Sequence, residues 1–220
     1  MKKIFQFGED VEGYNIRVLN EREIRAAAGI MFLAAFISWM FILFQENFVP
    51  LKYVITLFLV DFVIRVFINP KYSPFLIFGR WVVRNQTPEY VGAAQKKFAW
   101  VIGVVLVSTM FVHFIIINAY SPIASITCLT CLIFLFFESV FGICLGCKFY
   151  PLFFKEKAQY CPGEVCEVKS KQDIQKISKV QSFILFVFIV LIFVLGYFMN
   201  NRFQEKPYDL FGIYGTEQTK

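Results

Sequence analysis

Along the chain, apolar residues collect in five long runs separated by shorter polar stretches. The runs cover residues 26–45, 51–68, 98–119, 122–144 and 182–199. At ~1.5 Å rise per helical residue, about 20 residues cross a hydrocarbon core of ~30 Å. Each run is long enough or nearly so, and the second and fifth are the shortest. Backbone polar groups in lipid must be satisfied within their own segment, so the runs predict helices. The expected fold is therefore an all-α integral membrane protein: a four-helix transmembrane bundle plus a fifth, C-terminal transmembrane helix.

The stretches between the runs then define the organisation. Residues 1–25 form a polar N-terminal segment with no short apolar core and cleavage site, so no cleavable signal peptide is expected. The membrane domain extends over 26–147, a cysteine-containing loop over 148–181, the fifth span over 182–199 and a tail over 200–220. Segment 69–97 is unusual. Pro70, Pro74 and Pro88 punctuate it, and SPFLIFGRWVVRN mixes aromatics with Arg80 and Arg84. This pattern predicts an amphipathic helix in the membrane interface, with Trp81 at headgroup level.

Composition agrees with a bilayer as solvent: 58% of residues are hydrophobic, 29 are phenylalanine, and the mean hydropathy is +0.60. The net charge of +6 is interleaved with apolar runs and forms no separate basic domain, which excludes nucleic acid as the expected partner and favours membrane lipid. Alternating sides across five spans places all the basic residues but Lys52, Arg202, Lys206 and Lys220 on one face. By the positive-inside rule the N-terminus and the loop 148–181 are cytoplasmic, and the tail is outside. Signatures of soluble enzymes, such as a P-loop or a nucleophile elbow, are missing. Whether the protein is an enzyme stays open at this point.

Candidate chemistry comes from polar residues the bilayer disfavours. Asp61 and Arg65 lie four apart in the second run and share a helical face as an ion pair. Glu138, in the fourth run, has no partner on its own helix and is expected to be protonated, to face Arg65 across the bundle or to line a wet cavity. His113, the only histidine, lies at about the depth of Cys128 and Cys131, and packing is the commoner role for such residues.

Six cysteines fall in three pairs: Cys128/Cys131, Cys144/Cys147 and Cys161/Cys166. For the last two pairs, two readings remain. Thiol exchange would use Cys144 or Cys147 as the attacking thiolate and Cys161 with Cys166 as the acceptor pair. Alternatively, Cys144, Cys147, Cys161 and Cys166 would hold zinc, in a spacing similar to a four-cysteine site. Lys148 favours a thiolate at the mouth of the fourth run, whereas the carboxyl end of a helix opposes it.

The stretch FGICLGCKFYPLFF, together with NEREIRAAAGIMFLAAF and NPKYSPFLIFGRWVVRNQTPEYVGAAQKKFAWVIG, resembles the bacterial membrane family known as domain-of-unknown-function family 4395, over roughly residues 20–154. The resemblance implies a bacterial inner-membrane protein whose four-helix domain ends in a CxxC pair, here Cys144 and Cys147. It implies sulfur-transfer company, since members occur joined to rhodanese-like domains, but no established activity. The expected function is a membrane thiol protein that exchanges disulfide or sulfane-sulfur equivalents or passes a sulfur species across the membrane. A rhodanese- or thioredoxin-like protein is the expected partner. The alternative is a non-catalytic zinc-holding subunit that scaffolds a larger complex, and a third option is heavy-metal uptake.

Overall fold

A computed structural model describes residues 7–14, 16–153 and 176–210. The chain is mostly helical: α1 (Glu21–Gln45), α2 (Val49–Val63), α3 (Pro74–Val82), α4 (Ala93–Phe111), α5 (Pro122–Phe136), α6 (Leu145–Phe153) and α7 (Lys179–Gln204). Three of these run on into a widened π turn: α2 into Ile64–Ile68, α4 into Val112–Ile117 and α5 into Phe137–Phe141. Four helices among the described residues are long and apolar enough to cross a bilayer, namely α1, α4 and α5 with their π turns, and α7. The helix over 49–68 rivals α5 in length but carries Lys52, Asp61 and Arg65.

Helix starts follow from local chemistry. Asn20 caps α1 by accepting a hydrogen bond from the Arg22 backbone N–H. Ser73 and Ser121 cap α3 and α5 in the same way, each with proline in the first turn. Ser178 and Gln181 form a reciprocal capping box on α7, and the buried Gln181 side chain also donates to the Lys71 carbonyl at 2.9 Å.

α1, α2, α4 and α5 pack side by side around one apolar core that includes Met31, Ile55, Phe62, Trp100, Val107 and Leu132. α7 stands outside it, touching α2 and α3. Tyr53 meets Phe203 edge-on at 4.6 Å, and Phe75 meets Phe188 at 5.9 Å. The remaining faces of α7 are bare, with Phe193, Tyr197 and Phe198 about three-quarters exposed or more.

Three boundaries differ from the sequence expectation. The fourth run does not stay helical to residue 144: the chain leaves the π turn at Gly142, whose φ of 65° is left-handed, and starts α6 at Leu145. The loop expected from 148 therefore begins inside a helix. The N-terminal segment is not independent of segment 69–97 either. Val18–Asn20 (β1) pairs antiparallel with Tyr90–Gly92 (β2), tying the two together. Segment 69–97 contains α3, which buries Leu76, Ile77 and Arg80 and exposes Phe78, Trp81 and Val82. At the opposite end, Ala119–Tyr120 (β3) pairs parallel with Tyr208–Asp209 (β4), joining the α4–α5 turn to the chain after α7.

Candidate functional site

The buried charges form separate, compensated clusters. Asp61 and Arg65 pair at 2.5 Å, as their four-residue spacing predicts. Ser73 Oγ donates to Asp61 Oδ1 at 2.6 Å and receives the Arg65 Nε–H at 3.1 Å, and the Phe75 backbone N–H donates to the same Asp61 oxygen. The Arg65 guanidinium also lies over the rings of Phe62 and Trp100, 5.1 and 5.2 Å from their centroids. The cluster thus locks α2 to the start of α3 and to α4. It leaves neither charge without a counterpart, which removes the main penalty for burying them.

Glu138 does not take Arg65 as its ion partner. It pairs at 2.5 Å with Lys96, which also holds Glu21 at 2.8 Å. Lys96 stands on the first turns of α4, so its side chain reaches between α1 and the π turn of α5. The sequence places Lys96 in the interfacial segment 69–97, just before the apolar run, and does not mark it as a partner for Glu138. The signal that could have found it is helical phase: Lys96 is four residues before the buried Trp100 and so shares its face. Glu138 and Arg65 nevertheless line one cavity, whose wall is mostly apolar.

Two further buried cations belong to neither cluster. Arg80 pairs with Glu23 at 3.0 Å where α3 crosses α1. Lys52 donates to Asn118 Oδ1 at 2.7 Å and to the Glu205 carbonyl at 2.5 Å, pinning α2 to the α4–α5 turn and the end of α7. His113 makes a local bond, Nδ1 donating to the Thr109 carbonyl at 2.9 Å, and is not among the residues that line the cavity.

The cysteines divide sharply. Cys144 is the last residue before α6, and its sulfur accepts the Cys147 backbone N–H at 3.2 Å, as an N-cap does. The two sulfurs lie within bonding reach of one another, with Cα atoms 5.1 Å apart. Cys147 Sγ faces the Gln95 carbonyl of α4 at 3.6 Å. Gly146 permits this seat: a Cβ there would meet Ala99 Cβ at 2.7 Å and its Cα at 2.9 Å. Cys144 stands just before the amino end of α6, not within the last turn of the preceding helix, which closes at Phe141.

Cys128 and Cys131 lie free on α5, Cys128 buried and Cys131 half-buried. Cys161 and Cys166 lie outside the described residues. Among the described residues, no group of three or more His, Cys, Asp or Glu side chains is gathered as a metal would need.

A cavity of about 80 Å³ runs between α1, α2, α4 and α5 and reaches α6. Its wall is mostly apolar, with Phe58, Phe62, Trp100 and Phe134, and it also holds Arg65, Cys131, Glu138 and Cys144. One sulfur of the pair, Cys144, the free Cys131, an ion-paired carboxylate and an arginine therefore meet around one partly open space inside the helix bundle.

No match is found among curated proteins or among solved structures. A family model does match, that of the Domain of unknown function (DUF4395), over residues 19–155, which takes in all of α1 to α6 and every residue of the cavity wall. The chain belongs to the DUF4395 family.

Proposed function

We propose that the protein is a five-span membrane thiol protein that exchanges disulfide or sulfane-sulfur equivalents through Cys144 and Cys147. The observation that carries this reading is the position of Cys144: its sulfur caps α6, lies within bonding reach of Cys147 and forms part of the cavity wall. A helix amino end lowers the cost of a thiolate, and a thiolate is the attacking species in exchange. In the exchange step an incoming thiolate forms a bond to one sulfur of the pair, the Cys144–Cys147 bond breaks, and the other sulfur leaves as a thiolate.

Five spans follow if α2 crosses as well. Its charges support that assignment, because Asp61 and Arg65 neutralise each other and Lys52 sits one turn from the helix start. The distribution of basic residues supports a cytoplasmic N-terminus and an external tail. A rhodanese- or thioredoxin-like protein is the partner that family resemblance suggests, in a bacterial inner membrane. The zinc reading is less favoured. Two thiolates on one zinc each stand ~2.3 Å from the ion and are held apart by it, whereas these sulfurs are within bonding reach of each other.

The test is thiol chemistry on purified protein. Mass spectrometry after alkylation, beside elemental analysis, should find a metal-free Cys144–Cys147 disulfide that opens with a small dithiol and re-forms with a small disulfide. Stoichiometric zinc with both sulfurs protected until chelation would overturn the proposal.

A further inference from the structure

The accessibility of the pair is lopsided. Cys147 is 1% exposed and is closed off by the Gln95 carbonyl, while Cys144 is 8% exposed and borders the cavity. A redox pair shut from water on one side and open to an apolar space on the other selects its electron acceptor by that space. The cavity's polar groups are few: Arg65, whose guanidinium is held between Phe62 and Trp100, and Glu138, held by Lys96. At about 80 Å³ it has room for several waters' worth of ligand, and because it is partly open a ring larger than that can seat one edge inward. Its aromatic wall matches a flat apolar molecule.

We infer that this cavity takes the ring of a membrane quinone, which accepts the electron pair of the reduced Cys144–Cys147 pair. The inference rests on the exchange reading of that pair. In the step, two S–H bonds break and one S–S bond forms between Cys144 and Cys147. Two electrons pass to the quinone, and the two protons end on its oxygens, giving the quinol. The sulfurs are oxidised and the quinone is reduced, with no further reactant. Cys144 faces the ring. Cys147, on the far side, supplies the second sulfur. The acceptor thus arrives laterally, among the apolar helices, and disulfide re-formed this way is available for exchange.

The experiment uses the full chain in lipid nanodiscs free of native quinone. The pair is reduced, the reductant removed, and decyl-ubiquinone added without oxygen, following quinol absorbance and alkylatable thiols together. One quinol should form per disulfide. Leu135→Trp, which fills the cavity from α5, should slow this at least tenfold while leaving exchange with a soluble disulfide within twofold. Independently, decyl-ubiquinone should quench tryptophan fluorescence saturably, and Trp100→Phe should remove the saturable part even if Leu135→Trp fails to fold. If the wild type exchanges with the soluble disulfide but yields no quinol, or if it yields quinol no faster than Leu135→Trp, the quinone inference falls and the exchange reading stands. A wild type inert to both reagents overturns both.

Discussion

Cys128-Leu-Thr-Cys131 and Cys144-Leu-Gly-Cys147 have the same spacing and nearly the same sequence, yet the fold treats them as different objects. The first pair sits in the middle of α5, where residues three apart share a face but their Cβ directions make a disulfide difficult. The second pair straddles a helix start. Cys144 is outside the helix and Cys147 inside it, so the backbone turns between them and the sulfurs meet. Spacing alone therefore does not specify thiol chemistry. What matters is where the helix begins, and Gly142 and Gly146 set that locally, one by its left-handed φ and the other by lying against Ala99.

The largest test of this contrast is direct substitution. Replacing Cys144 or Cys147 with alanine should abolish exchange with a small disulfide, a loss of at least a hundredfold. Cys128→Ala and Cys131→Ala should stay within about threefold, read by the same alkylation assay. Equal losses in both pairs would erase the distinction.

The next effect concerns the floor under the second pair. Lys96 is adjacent to Gln95, whose carbonyl faces Cys147, and it balances Glu21 and Glu138. Lys96→Met leaves two partly buried carboxylates without their cation, a change of up to about 3–5 kcal/mol, the range for a fully buried pair. Thermal unfolding in detergent should show a large drop. Glu138→Gln in the Lys96→Met background should recover part of it. An unchanged midpoint would mean that water already compensates the triad.

Gly146→Val should cost about 1–3 kcal/mol, the usual range for overpacking, because its side chain would push α6 away from α4. The sharper readout is thiol separation: the Cys144–Cys147 bond should re-form more slowly, while Cys131 alkylates as before. The smallest effect is expected for Lys148→Ala. Lys148 is exposed, so its field at the sulfurs is screened, and the rate of thiolate alkylation should fall about twofold at low salt and converge with the wild type at high salt. A tenfold fall would give Lys148 more weight than the helix end.

The same contrast explains which parts of the site were legible beforehand. Asp61 and Arg65 were, because a four-residue interval on a helix determines proximity without any other element. The Glu138 partner was not. The nearest cation by sequence reasoning was Arg65, but Ser73, Asp61 and two aromatic rings already engage that guanidinium, and Lys96 comes in from the next helix. The β1–β2 pairing was hidden as well, since three-residue strands separated by some 70 positions carry no periodic signal. Lys52, placed by the sequence only by its side of the membrane, is one of the most completely buried side chains among the described residues.

By itself the sequence determined that the chain is helical and apolar enough for a membrane, and where most of its helices lie, because helix formation in an apolar run depends on composition and length over about 20 neighbouring residues. It also determined the family, through the motifs around Cys144 and Cys147. Only the tertiary structure decided which charge meets which, that the sulfurs of one CxxC meet while those of the other stay free, and that Cys144, Cys131, Glu138 and Arg65 surround a common cavity. Those outcomes depend on the relative rotation and depth of helices far apart in the chain. The left-handed Gly142 is where this shows for the cysteines: it ends one helix before them, and the next begins between them.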